Sequence, residues 1–199
     1  LRLLAVQQLD RVLAVVMQAN AVRQESIELA ISTEFRVGFY VGKDNTPNKI
    51  SKNEKLSSRG ERQKNLDLLL ESDQETLNEY YRFIDKCPCC GKKMINVRFN
   101  KERWVLEHIC DNLDCHVEVL PLFIVDSEIY RYLPSIVVSA IDKMSLIGIS
   151  NEFKALFGQV KRYCPIHGFS TGSKCTCAES GCSSRTQAVG YMKDPVPTL

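Results

Sequence analysis

The sequence predicts an α/β protein that carries two cysteine-rich segments beside its apolar core. Three observations lead to this class: helical spacing of apolar residues at the start, strand-like alternation after it, and nine clustered cysteines among 199 residues. The composition, 44% hydrophobic and 25% charged, is that of a chain able to bury a core. The length suits one α/β domain with an insertion, or two small domains.

The elements follow from periodicity. Residues 4–30 predict one or two amphipathic helices, because Val6, Leu9, Leu13 and Val16 recur at helical spacing. Alternation over 35–41 predicts a strand. The later segments predict, in order, a loop over 42–64, a helix over 65–85, buried strands at 117–126 and 136–140, and a helical or turn-rich stretch over 142–157.

The charge balance excludes a generally basic surface. Lys and Arg number 26 and Asp and Glu 24, so the net charge is only +2 and a nucleic-acid surface would have to be local. No apolar run approaches the roughly 20 residues of a membrane span, so we predict no membrane partner. The chain starts without Met and stops at Leu199 inside an apolar stretch, so we interpret it as an excerpt.

The first cysteine cluster predicts a zinc ribbon. Cys87 and Cys90 flank a short turn closed by Gly91, and Cys110 and Cys115 form a second pair at the separation typical of two-knuckle sites. The residues between the pairs, 94–99 and 103–109, can form a hairpin that brings the knuckles together. Four thiolates close a tetrahedron, so this site is structural and leaves no open catalytic position. Cys89, His108 and His116 lie beside the proposed ligands; each could substitute for one of them, but we interpret them as bystanders.

The second cluster predicts a site of three cysteines and one histidine. Cys164 and His167 are three positions apart, as Cys87 and Cys90 are. Four residues separate Cys177 from Cys182, as they separate Cys110 from Cys115. Cys175 is the alternative to Cys177. Thiolates persist in a reducing compartment, so the metal-ligand spacing places the protein in the cytoplasm.

Several segments, taken in order, resemble one family. These are residues 1–8, 35–42 with 46–48, 87–91, 120–126, 136–143, 157–158 and 164–168. They resemble the superfamily 2 DNA helicases of DISARM-type anti-phage systems, in which an Arg-Leu-Leu helix, a zinc insertion and a strand ending in "GTVDK" follow one another. The resemblance implies a partial RecA-like parallel-sheet lobe with an inserted zinc ribbon and a second zinc knuckle site.

The resemblance also implies a division of the chain and a set of nucleic-acid contacts. The division is 1–50 partial RecA-like lobe, 51–86 linker and helix, 87–116 zinc ribbon, 117–160 return strands and helix, 161–190 second zinc site and 191–199 start of the next strand. The implied DNA contacts are Arg2, Gln8, Ser139, Asp142 and Lys143. Ala140 departs from the pattern, because the family usually has a phosphate-contacting Thr there.

The function implied is that of a fragment of an ATP-dependent DNA helicase or translocase in anti-phage defence. The chain has no Gly-x-x-x-x-Gly-Lys-Ser/Thr loop and no Asp-Glu-x-His box, so ATP and Mg²⁺ would bind only in the complete parent, and the fragment alone is predicted inactive. Its implied partners are DNA, the remaining helicase lobe and defence-system proteins. The alternative is a stand-alone zinc-ribbon adaptor that binds nucleic acid or protein.

Overall fold

The computed structural model describes residues 2–41, 46–49, 55–57, 63–65, 74–145, 151–172, 175, 182 and 187–188. The helices are α1 (Arg2–Glu25), α2 (Gln74–Tyr81), α3 (Asp126–Tyr132) and α4 (Ile141–Met144), with a 3₁₀ helix at Phe153–Phe157. The strands are β1 (Val37–Tyr40), β2 (Lys55–Ser57), β3 (Gln63–Asn65), β4 (Ile95–Asn100), β5 (Val105–Cys110), β6 (Leu122–Phe123), β7 (Ile136–Ser139), β8 (Arg162–Cys164), β9 (Gly168–Ser170) and β10 (Gln187–Ala188).

A parallel sheet of three strands, in the order β6-β1-β7, forms the centre of the fold. Val37 in β1 is in register with Leu122 on one side and with Ile136 on the other. All four residues of β1 are buried. A strand hydrogen-bonded on both edges and covered on both faces needs apolar or small residues throughout, which its sequence supplies.

Helices cover the two faces of this sheet. Leu9, Leu13 and Val16 of α1 are buried in one cluster with Val37 and Phe39. Tyr40 points into a second cluster with Ile129 of α3 and Phe153. Gly38 lies under α3, where an added Cβ would stand 2.8 Å from Pro134 Cγ, so its lack of a side chain allows the close approach of helix and strand. The α/β class is therefore confirmed.

Two smaller antiparallel units are attached to this layer. Strands β4 and β5 pair along their whole lengths, from Ile95 with Cys110 to Asn100 with Val105, as the sequence predicts for the ribbon hairpin. Strand β8 pairs with both β9 and β10. Both units carry cysteines at their ends.

Other predictions were wrong in part. The segment 42–64, predicted as a loop, contains β2 and the first two residues of β3, and these two strands pair antiparallel. For the helix predicted over 65–85, the described residues are helical only at Gln74–Tyr81, whereas residues 66–73 lie outside the described part of the chain. Of the strand predicted over 117–126, only Leu122–Phe123 is extended in the sheet, because α3 begins at Asp126. Helix α1 ends at Glu25 and is followed by turns.

Candidate metal centres

Four cysteine sulfurs converge at the end of the ribbon hairpin. The ligand atoms of Cys87, Cys90, Cys110 and Cys115 all lie within 4.8 Å of one another. The Sγ atoms of Cys87 and Cys115 are 3.8 Å apart, and so are those of Cys90 and Cys110. A tetrahedral ion with metal–sulfur bonds of ~2.3 Å holds its sulfurs ~3.8 Å apart, so this group could hold a metal ion.

The first knuckle is a tight turn set by backbone hydrogen bonds. The Gly91 amide donates to the Cys87 carbonyl at 2.8 Å, and the Cys87 amide donates to the Lys92 carbonyl at 3.0 Å. Gly91 has φ +71°, a left-handed conformation that favours glycine. This turn places the Cys87 and Cys90 sulfurs on the same side.

The second knuckle follows β5 directly. Cys110 is the last residue of that strand, and the Cys115 amide donates to the Asn112 carbonyl at 2.9 Å. The Lys92 ammonium donates to Asn112 Oδ1 at 2.9 Å and so ties one knuckle to the other. The hairpin thus brings together two cysteine pairs that are about 20 residues apart in the chain, the spacing of zinc sites.

The electrostatics of this group favour a bound cation. Burial raises the pKa of the Cys110 thiol to about 12, and burial also raises that of Cys87. A backbone hydrogen bond from Lys92 lowers the pKa of Cys90 to about 7. Sulfurs this close cannot all ionise without a positive charge between them, and a coordinated divalent cation deprotonates its thiols. The five cysteines of this segment form no disulfide with one another.

Three neighbouring side chains stand outside the tetrahedron. Cys89 lies 3.5 Å from a ring nitrogen of His116, at the surface. His108 is fully buried in β5, where its Nε2 lies 3.0 Å from the Tyr81 carbonyl. Burial lowers the pKa of His108 to about 4, so it is neutral and links the ribbon to α2.

A second group lies at the turn between β8 and β9. The ligand atoms of Cys164, His167, Cys175 and Cys182 lie within 4.8 Å of one another. His167 Nδ1 is 3.5 Å from the sulfur of Cys164 and 3.4 Å from that of Cys182. Metal bonds of ~2.3 Å to sulfur and ~2.0 Å to nitrogen give such edges of ~3.5 Å in a tetrahedron. Cys177, the preferred ligand from spacing, lies outside the described residues, and its alternative Cys175 is part of the group.

The β8–β9 turn is packed tightly against the main layer. The His167 amide donates to the Cys164 sulfur at 3.4 Å. Gly168, with φ +78°, lies so close to α3 that an added Cβ would stand 2.3 Å from the Arg131 carbonyl oxygen. The second centre is therefore held against the C-terminal end of α3.

The residues that the resemblance links to nucleic acid are distributed over two regions. Gln8 is exposed on α1, and Arg2 lies at the start of that helix. Ser139 ends β7, and its hydroxyl donates to the Ala140 carbonyl at 3.1 Å. Asp142 lies in α4. The side chains of Asp142 and Arg2 lie outside the described part of the structure.

Lys143 is buried at the same edge of the sheet. Its ammonium forms an ion pair with Asp126, donates to Asn48 Oδ1 at 3.1 Å and lies 4.7 Å from the ring centroid of Tyr40. Burial raises the pKa of Asp126 to about 6, and the Lys143 ammonium opposes this rise. Sequence reasoning missed Asp126, although an acidic residue directly after a buried apolar run was a signal for it.

Fold and sites together define a mixed α/β protein with two cysteine-rich groups that could hold metal ions. None of the helices in the described part of the chain is long and apolar enough to cross a membrane. A search with family models finds no match.

The sequence is similar to the DISARM protein DrmA of Bacillus paralicheniformis (strain ATCC 9945a / NCIMB 11709 / CD-2). The two are 33% identical over 191 residues, which cover 85% of this chain and 15% of that protein. The chain therefore spans only a small part of the curated relative's length. This similarity supports a relationship to the DISARM anti-phage system.

Proposed function

We propose that this chain is part of an ATP-dependent DNA helicase or translocase that acts in anti-phage defence. The observation that carries the proposal is the 33% identity to DrmA over 85% of the chain. The parallel order β6-β1-β7, with helices on both faces, supports a RecA-like lobe in which residues 1–50 and 117–160 form the sheet layer.

In this proposal both cysteine-rich groups bind structural Zn²⁺. Four sulfurs at tetrahedral spacing, or three with one imidazole, are the donor sets that zinc prefers, and they leave no position open for catalysis. Each ion would fix the segments that carry its ligands in one conformation. Structural zinc can contribute on the order of 10 kcal/mol to the folding of such modules.

The DNA track in this proposal runs along the carboxyl edge of the sheet. Tyr40 and Ser139 are paired neighbours at the ends of β1 and β7, and open α/β sheets bind ligands at that edge. Ser139 contributes a hydroxyl, and Gln8 on α1 an exposed amide. Lys143 has an indirect role in this proposal, because its ion pair with Asp126 fixes the start of α3 against α4.

ATP and Mg²⁺ would bind to motifs that this sequence lacks, so the remaining helicase lobe is a required partner. Other defence-system proteins are further partners, and the cytoplasm, where phage DNA and thiolates coexist, is the proposed compartment.

The test uses the full-length protein that contains this chain, purified with zinc. We expect ATP hydrolysis that single-stranded DNA stimulates, and we expect Ser139→Ala to weaken DNA binding while the metal content stays unchanged. The matched control is Ser32→Ala, which changes an exposed serine in the turns between α1 and β1, away from that edge. A full-length protein that shows no DNA-stimulated ATPase would overturn the helicase proposal and favour the stand-alone zinc-ribbon adaptor.

A further inference from the structure

A cavity of about 740 Å³ lies where the two candidate metal units meet the main layer. Its walls come from the turn of the β4–β5 hairpin, the C-terminal end of α3, the β8–β9 turn and the segment before β1. We call it the seam cavity. Its lining includes Glu34, Arg36, Arg103, Tyr132, Tyr163 and Phe169. Pockets of this size hold small organic ligands or single units of a polymer.

The seam cavity has an excess of positive charge. Three guanidinium groups and one carboxylate, that of Glu34, line it. The Arg36 side chain is 30% exposed, and only its Nε pairs with Glu34, at 3.3 Å. Within the described part of the chain, the two terminal nitrogens of Arg36 have no hydrogen-bond or ion-pair partner. Such nitrogens are suited to a phosphate group.

Arg103 presents the second accessible guanidinium. Its side chain is 35% exposed, and its contact with Glu107 is long, at 3.7 Å between Nη1 and Oε1. The group lies 5.3 Å from the ring centroid of Tyr132, which orients it along the cavity wall. Arg103 and Arg36 therefore present cationic groups to the same space.

Aromatic rings form another wall. Tyr163 in β8 and Phe169 in β9 are cross-strand partners with ring centroids 5.0 Å apart, and Tyr163 is 38% exposed. A partly exposed ring beside cationic groups is the combination that binds single-stranded nucleic acid, because the ring stacks on a base and the cations hold the backbone.

The walls of the cavity are fixed by contacts between its parts. The Tyr132 hydroxyl donates to the Ile166 carbonyl at 2.8 Å and lies 3.0 Å from the Arg103 carbonyl. The buried Arg131 donates to the Trp104 carbonyl at 2.7 Å. These contacts join the ribbon turn, α3 and the second metal unit, so the cavity exists before any ligand binds.

We propose that the seam cavity binds one nucleotide unit of single-stranded nucleic acid. Arg36 and Arg103 hold its phosphate, and Tyr163 stacks on its unpaired base. A base inside a duplex has both faces covered, so the aromatic wall selects a single strand. This assignment rests on the proposed function, because it adds a second contact for the strand, away from the carboxyl edge of the sheet.

The experiment measures fluorescence anisotropy of a labelled oligothymidine and of an abasic strand of equal length, with the full-length zinc-loaded protein. We expect Arg36→Gln with Arg103→Gln to weaken binding of both strands at least tenfold and to lower the salt dependence by about 0.7 per lost phosphate contact. Tyr163→Leu weakens binding of oligothymidine about five- to a hundredfold and leaves the abasic strand unchanged, while Tyr163→Phe binds as the parent does.

The control is Arg82→Gln, which removes one exposed charge after α2, outside the seam cavity. Zinc content and thermal unfolding establish that each variant is folded. If the parent binds oligothymidine and the cavity variants bind it equally well, the seam cavity assignment is wrong and the proposed function stands. If the parent binds neither strand, both are overturned. Equal loss for both strands with Tyr163→Leu excludes base stacking and also overturns the assignment.

Discussion

Gly168→Ala gives the sharpest test of how the second metal unit is attached. Gly168 and Gly91 both lie in turns that carry candidate metal ligands, and they have nearly the same left-handed φ, +78° and +71°. They differ in their surroundings. A Cβ on Gly168 would stand 2.3 Å from the Arg131 carbonyl oxygen, whereas a Cβ on Gly91 would meet nothing within 4 Å.

The magnitude follows from this difference. A left-handed conformation costs an L-residue ~1–2 kcal/mol, and both alanine variants incur that loss of unfolding free energy. Gly168→Ala must also move the β8–β9 turn away from α3, and such overpacking costs ~1–3 kcal/mol more. For a chain of this size the extra loss lowers the unfolding temperature by roughly 2–4 °C per kcal/mol.

The assay is thermal unfolding of the two zinc-loaded variants at one pH and zinc concentration. We expect Gly168→Ala to unfold at a clearly lower temperature than Gly91→Ala and to release zinc faster from its own site. Equal unfolding temperatures for the two variants would refute the close packing of the second unit on α3.

Three further results are expected. Cys110→Ser and Cys164→Ser should each lower the zinc content from two ions per chain to one, measured by mass spectrometry of the metal, whereas Cys89→Ser should leave it at two. Burial raises the pKa of Glu128 from its usual value to about 8, so the folded state binds a proton that the unfolded state has lost above pH 4.5. This stabilising contribution is full below pH 4.5 and is lost as pH rises through 8, so unfolding free energy should fall by ~2 kcal/mol between pH 6 and 8 in urea titrations, and Glu128→Gln should abolish that fall. Lys143→Met leaves a buried carboxylate unpaired and should lower the unfolding free energy by ~3–5 kcal/mol, whereas Lys101→Met, at an exposed turn, should change it little.

The ribbon hairpin and the first sulfur cluster could be predicted because their signals are local. Cysteines at knuckle spacing restrict the backbone around them, and the alternating apolar residues between the pairs fix a hairpin register. Strands β1 and β7 were also found, since buried apolar runs bounded by polar residues indicate strands.

Helix α3 and the burial of Lys143 in an ion pair could not be predicted in this way. Helix α3 has only seven residues, too few for a helical period of apolar residues to be recognised in the sequence. The sign that could have revealed it was the pair Asp126 and Glu128 in its first turn, where acidic side chains favour a helix. Lys143 is buried because an acid from another element lies beside it, and such long-range pairs leave no periodic signal.

The long segment between β1 and β6 affects how a newly synthesised chain folds. The chain leaves after β1 and returns only at β6, its neighbour in the sheet, so residues 41–121 must close into a loop before these strands can pair. Cross-linking that loop internally through a bound ion shortens its effective length and reduces the entropy lost on closure. A newly made chain starved of metal would keep the edge of β1 unpaired, and exposed edges recruit other strands. Zinc shortage should therefore appear in the cell as aggregation of newly synthesised chains.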